Sequence, residues 1–193
     1  MRSERRTKKV RGVLERRQPD LTLVMENIHD PHNVSAMLRS ADAVGIMDVH
    51  LVYTTQKFPK IGSKSSSSAN KWVGRKRFVS IPECYAELRA RGFQILATRL
   101  DESAKQLYEF DLTAPTAFVF GNEHAGVTDE AADLADHTVY IPMMGMIQSL
   151  NVSVACAVTI YEALRQRMAK QMYQSPQLTD DVMATLFNEW IVK

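Results

Sequence analysis

The chain has 193 residues, of which 45% are apolar and 24% charged, with a formal net charge of +2. That is the make-up of one globular domain with appendages, large enough to bury a core without a disulfide or metal staple. Two cysteines, Cys84 and Cys156, exclude a disulfide framework and fit a reducing, cytoplasmic setting. No run of about 18 apolar residues is present, so no membrane-spanning helix is expected. The basic amino terminus lacks the apolar stretch of a secretory signal.

Charge is unevenly spread. Residues 1–17 hold eight basic and two acidic side chains, a net +6 against −4 for the remainder. A basic arm on a mildly acidic body points to a polyanionic partner, nucleic acid before others, or to a solvated helix end. The arm reads as a helix over 3–17 with a thin apolar stripe of Val10, Val13 and Leu14, lying on the surface. Pro19 ends it.

Beyond Pro19, short β-branched runs alternate with helical patterns. Strands are expected at Leu21–Met25, Val49–Tyr53, Arg77–Ser80, Phe93–Thr98, Thr116–Gly121 and Thr138–Ile141. Helices are expected at Asn33–Val44, Pro82–Arg91, Asp129–Ala135 and Ser149–Met168. Strands such as Phe93–Thr98 are apolar at nearly every position, the mark of strands covered on both faces. The alternation predicts an α/β fold, a mostly parallel open sheet with helices on both faces. Ligands in such sheets bind beyond the carboxyl ends of the strands, so the segments after Thr98, Phe120 and Ile141 are the places to look. Gly62–Asn70, with Ser65 to Ser68 in a row, reads as a loop. The final helix, Thr179–Val192, carries a wide apolar face that must dock on the chain's own body or on a second subunit.

Three polar clusters fall at strand-to-helix junctions. The first runs from Glu26 to Arg39, with Asn33 placed to cap a helix and Arg39 at the edge of its apolar face. His29, Asp30 and His32 match no zinc spacing, so no metal is expected. The second is Phe120-Gly121-Asn122-Glu123-His124-Ala125-Gly126-Val127. It lacks the Walker lysine, and its glutamate suits an amine, a hydroxyl or a sulfonium rather than a phosphate. The third runs from Ile141 to Ser153. Its methionines offer adaptable packing for a planar or sulfur-bearing ligand, and Ser149 is placed to cap the long helix that follows.

Together, Asn33 to Arg39, Gly121-Asn122-Glu123, and Ile141-Pro142 through Asn151-Val152-Ser153 resemble the three motifs of the SPOUT methyltransferases, SpoU branch, in order and spacing over residues 18–172. Within the branch, Arg17-Gln18-Pro19-Asp20-Leu21-Thr22 and Met143 to Ser153 look most like its tRNA guanosine-18 ribose methyltransferases, although His124 stands where those commonly carry lysine. The resemblance implies a SPOUT fold with a C-terminal deep trefoil knot, and a homodimer with its active site at or near the subunit interface. It implies S-adenosylmethionine as cofactor, in a pocket of Thr98, Gly121, Asn122, Glu123, Ile141, Met144, Gly145 and Leu150. It implies methylation of a ribose 2′-hydroxyl in tRNA, with ribosomal RNA or another tRNA position, and a non-catalytic RNA binder, as alternatives. Arg39 would take the hydroxyl proton or hold the phosphate beside it. Arginine stays charged, so chemistry favours phosphate binding. Asn33 would orient Arg39 or hold the helix start, and Glu123, Ser149 and Asn151 would position the nucleoside. RNA contacts would come from Arg5, Arg6, Lys8, Lys9, Arg11 and Arg17, with Arg165 and Arg167 from the long helix. The implied division is a basic extension (1–17), the methyltransferase domain (18–172) and a C-terminal amphipathic helix (173–193).

Overall fold

A computed structural model describes residues 3–55, 57–59 and 69–193. Most of the Gly62–Asn70 segment, with its serine run, lies outside the described residues. The elements in chain order are α1 (Glu4–Leu14), β1 (Leu21–Glu26), α2 (Pro31–Ala43), β2 (Asp48–Val52), β3 (Gly74–Phe78), α3 (Ile81–Ala90), β4 (Gln94–Thr98), β5 (Lys105–Gln106), β6 (Thr116–Phe120), α4 (Asp129–Asp133), β7 (His137–Tyr140), α5 (Val152–Ala169) and α6 (Asp180–Trp190). Each expected strand and helix is present, with ends shifted by a few residues. β5 is additional, and β3 begins at Gly74 rather than Arg77.

The seven strands form one sheet in the order β3-β2-β1-β6-β4-β7-β5, and every pairing is parallel. Period-two alternation sorts the central strands between two cores. Leu21, Leu23 and Met25 of β1 join Phe118 and Phe120 of β6 beneath Met37, Leu38 and Ala41 of α2 and Cys156, Ile160 and Ala163 of α5. Val24, Ala117, Val119, Ile95 and Ala97 face the other way, onto Cys84, Tyr85 and Leu88 of α3 and Ala131 of α4. This double cover is what the uninterrupted apolar strands predicted. Among the described residues, no helix is long and apolar enough to cross a membrane.

The termini form a third cluster. Val10 and Leu14 of α1 pack on Trp190 and Ile191, with Met183, Leu186, Phe187 and Trp72 around them. The apolar face of the last helix therefore docks on the chain's own body, and α1 is half-embedded rather than lying free on the surface.

Arg17 and Arg167 correct two expectations. Both side chains are fully buried (0% exposed). Arg17 donates to Asp42 Oδ1 at 2.5 Å and to the Ile46 carbonyl at 2.7 Å, and its guanidinium lies 4.9 Å from the Trp190 ring centroid. Arg167 donates to Asp20 Oδ1 at 2.5 Å, to Gln18 Oε1 and to the carbonyls of Leu112 and Ala114. Both guanidinium groups are shut away from solvent, Arg17 with its Nε left without a partner, so neither reaches a phosphate. These arginines tie segments together instead.

Candidate active site

The carboxyl ends of β4, β5, β6 and β7 open onto one cavity of about 660 Å³, and the loop after β1 is tied to its rim through Glu123. The loop after β1 turns at Asn27, whose φ of 51° is a left-handed conformation that asparagine tolerates. Asp30 then caps α2, accepting from the His32 N–H at 2.8 Å, and Pro31 occupies the first turn. This corrects the expected cap. Asn33 lies inside the first turn, and its side chain points at the neighbouring loops instead.

The loop after β6 is folded on itself by Asn122. Its Oδ1 accepts from the N–H groups of His124 and Ala125, and its amide donates to the Asn27 carbonyl at 3.0 Å. Gly121 is buried here, and a Cβ on it would collide with the backbone of Gly126 and Val127, so only glycine permits the close return. Beyond the loop, Glu26 accepts from the Thr128 hydroxyl at 2.6 Å and from its N–H at 3.0 Å.

Glu123 joins the loops. Its carboxylate accepts from the N–H groups of His29 (2.9 Å) and Asp30 (3.0 Å) and from the Asn33 amide (2.9 Å). Partial burial pushes this carboxyl up, but the three donors outweigh burial and hold it below the usual glutamate range. Asn33 Oδ1 in turn accepts from the Asn151 amide at 3.1 Å. Asn151 is the true cap of α5, with its Oδ1 accepting from the N–H and hydroxyl of Ser153. Ser149, the expected cap, lies in the preceding loop and lines the cavity without capping.

Of the expected cofactor residues, Thr98, Gly121, Asn122, Glu123, Ile141, Met144 and Leu150 line the cavity. Gly145 does not. It sits in the turn above, where its carbonyl accepts from Gln148. Asn33 reaches the cavity wall only through Glu123 and Asn151. Arg39 is exposed on α2, away from the lining, and pairs with no carboxylate among the described residues. Nor does it touch Asn33, so the expected orienting contact is absent. Sequence reasoning missed Leu100, Gln106, Leu107 and Tyr140, which complete the walls from the neighbouring strand ends. Of the exposed cations, Arg5, Lys8 and Lys9 stand clear on α1, while the Arg11 guanidinium lies 5.7 Å from the Phe187 ring centroid, Arg6 also reaches the carbonyls of Trp190 and Ile191, and Arg165 pairs with Glu162.

A doubly covered parallel sheet with a half-apolar cavity at its carboxyl edge, bordered by glycine-tight turns, is the architecture of an α/β domain that binds a nucleoside-sized ligand. The chain belongs to the SpoU rRNA Methylase family, whose model matches residues 20–161. It is 44% identical over 192 residues to the tRNA (guanosine(18)-2′-O)-methyltransferase of Thermus thermophilus, covering 100% of this chain and 98% of that one. It is 49% identical over 161 residues to the Escherichia coli enzyme of the same name, covering 83% and 70%. The crystal structure of the Aquifex aeolicus TrmH/SpoU tRNA modifying enzyme superposes with a TM-score of 0.91 at 40% identity, over 98% of this chain and 96% of that one. The SpoU methyltransferase AviRb from Streptomyces viridochromogenes, in complex with AdoMet, gives a TM-score of 0.69 at 28% identity, over 80% and 62%.

Proposed function

We propose that this chain methylates the 2′-hydroxyl of a tRNA ribose, at guanosine-18, using S-adenosylmethionine. One observation carries the reading. Glu123, Asn33 and Asn151 form a hydrogen-bonded chain that locks three loops around the cavity, in a protein similar over its whole length to enzymes of that activity. The cavity suits the cofactor chemically. Ile141, Met143, Met144 and Leu150 give apolar walls for a planar base, and a glutamate at the rim suits a sulfonium cation.

When bound, S-adenosylmethionine supplies a methyl group on a positively charged sulfur. The protein's part is alignment and charge management. The Glu123 chain fixes where the β6 loop, the start of α2 and the start of α5 stand relative to one another. Arg39 pairs with a phosphate next to the target ribose and holds the hydroxyl in line. The pocket assignment above, the catalytic roles of Asn33, Arg39, Glu123, Ser149 and Asn151, and RNA contacts from Arg5, Arg6, Lys8, Lys9, Arg11 and Arg165 belong to this proposal.

So do a C-terminal trefoil knot, the division into residues 1–17, 18–172 and 173–193, a cytoplasmic setting with its tRNA, and a homodimer whose active site lies at the interface. Two features support the dimer. Arg39 stands outside its own chain's cavity, and the surface beyond it is apolar. Met144 and Met146 are 94% and 99% exposed, and Val154, Tyr161 and Met168 recur along the outer face of α5.

The test is methyl transfer from labelled S-adenosylmethionine to unmodified tRNA and to ribosomal RNA, with the product nucleoside located by mass. Methylated guanosine-18 is expected. Methylation elsewhere moves the substrate and keeps the chemistry, and folded protein that methylates neither RNA refutes the reading.

A further inference from the structure

The basic arm is not the chain's one basic segment. Residues 49–82 contain seven lysines and arginines and no acidic residue. The described part of this segment includes β3, an edge strand of the sheet, whose Arg75, Lys76 and Arg77 are all exposed.

Strand geometry divides these three. Lys76 points to the α3 side, where it donates to Glu87 Oε1 at 2.7 Å. Arg75 and Arg77 point the other way. They stand beside Val49 and Leu51, whose side chains belong to the core under α2. Among the described residues, neither has a carboxylate within ion-pair distance. The Arg77 guanidinium rests 5.5 Å from the Phe58 ring centroid, which restricts its motion without neutralising its charge.

The strand also begins where the termini dock. Trp72, two residues before β3, packs on Trp190 with ring centroids 5.1 Å apart, and its carbonyl accepts from Arg17. The backbone of Lys71 accepts from Lys193 Nζ at 3.1 Å. The α1–α6 pair and the start of the β3 edge therefore adjoin.

We propose that this edge, through Lys71, Arg75 and Arg77, is a phosphate-binding surface that grips the RNA substrate away from the reacting ribose. The proposal rests on the RNA methyltransferase reading. Arg75 and Arg77 are about 6.6 Å apart along the strand, a step that suits successive phosphates of one backbone. Such contacts position an RNA and carry no sequence information. Basic side chains on an edge strand also resist edge-to-edge pairing, but that role leaves the salt dependence of RNA binding unchanged.

The test compares unmodified tRNA binding by the wild type, by Arg75→Ala/Arg77→Ala, and by Arg75→Lys/Arg77→Lys at several salt concentrations. Lys105→Ala on the opposite edge serves as control. The alanine pair should weaken binding about tenfold and lower the slope of log K against log salt by about 1.5–2, roughly one unit per lost phosphate contact. The KM for tRNA should rise with kcat unchanged, and the lysine pair should restore both. An unchanged slope, a loss no greater than that of Lys105→Ala, or failure of the lysine pair to rescue would each overturn the proposal while leaving the methyltransferase reading intact. A wild type that neither binds nor methylates RNA would instead remove the reading itself.

Discussion

Arg39 and Glu123 have opposite surroundings, and that contrast separates the roles proposed for them. Glu123 is saturated by three donors and so serves as a structural clamp. Arg39 is exposed and unpaired among the described residues, so its charge is free for a ligand. Arg39→Ala should reduce turnover at least a hundredfold, of the order seen when a group aligned on developing charge is removed. The thermal shift produced by S-adenosylmethionine should stay near the wild-type value. Activity within a few-fold of wild type would take Arg39 out of the mechanism. A second residue makes a pH prediction. His50 is fully buried, stacked on Phe78, with its Nε2 lacking a hydrogen-bond partner and 3.8 Å from Glu87. Burial outweighs the attraction of Glu87 and lowers its pKa from 6.5 to about 4. As pH falls, the unfolded chain therefore takes up this proton first. The stability tied to neutral His50 is present above pH 6.5 and is lost between there and about pH 4. The loss should be about 3 kcal/mol in urea unfolding, and His50→Gln should show a correspondingly shallower decline. Equal declines in the two proteins would refute this.

The termini show how elements share one anchor. Arg17, just past α1, reaches the end of α2 through Asp42, the start of β2 through Ile46, and α6 through Trp190. Arg17→Ala should cost about 2–3 kcal/mol, because carbonyls and a partly exposed carboxylate lose a charged donor. Amide exchange should quicken in α1 and α6 before the central strands. Uniform exchange across the molecule would show that the termini are not a separate cooperative unit. The same packing explains why the sequence does not announce the burial of α1. Its stripe of Val10 and Leu14 is too thin to announce burial, yet it is enough to fill the groove beside Trp190. The start of β3 is hidden in the sequence for a related reason. Its residues Arg75, Lys76 and Arg77 carry no apolar alternation, because an edge strand exposed on both faces has no core to meet.

At the scale of the whole molecule, the α5 surface predicts assembly. Val154, Tyr161 and Met168 recur every seven residues on the exposed side of an 18-residue helix. In the proposed dimer, Tyr161→Glu should separate the protomers in sedimentation experiments and abolish methyl transfer. A variant that stays dimeric and active would place the interface elsewhere. On the same helix Arg167 is buried against Asp20, whereas Arg165 pairs with Glu162 but stays exposed, so of the two only Arg165 remains among the proposed RNA contacts.

Much of this was legible in the sequence. Apolar strands alternating with helices fixed a parallel sheet, because a strand covered on both faces can afford few polar residues. The three motifs marked the loops at its carboxyl edge, and nearly all the pocket residues drawn from them line one cavity. Tertiary structure decided what each polar group does there. Asp30 rather than Asn33 caps α2, Asn151 rather than Ser149 caps α5, and Arg17 and Arg167 are buried ties. Capping sites, salt bridges and phosphate contacts draw on the same polar residue types. Only the positions of carbonyls and carboxylates distant in sequence determine which role a side chain takes.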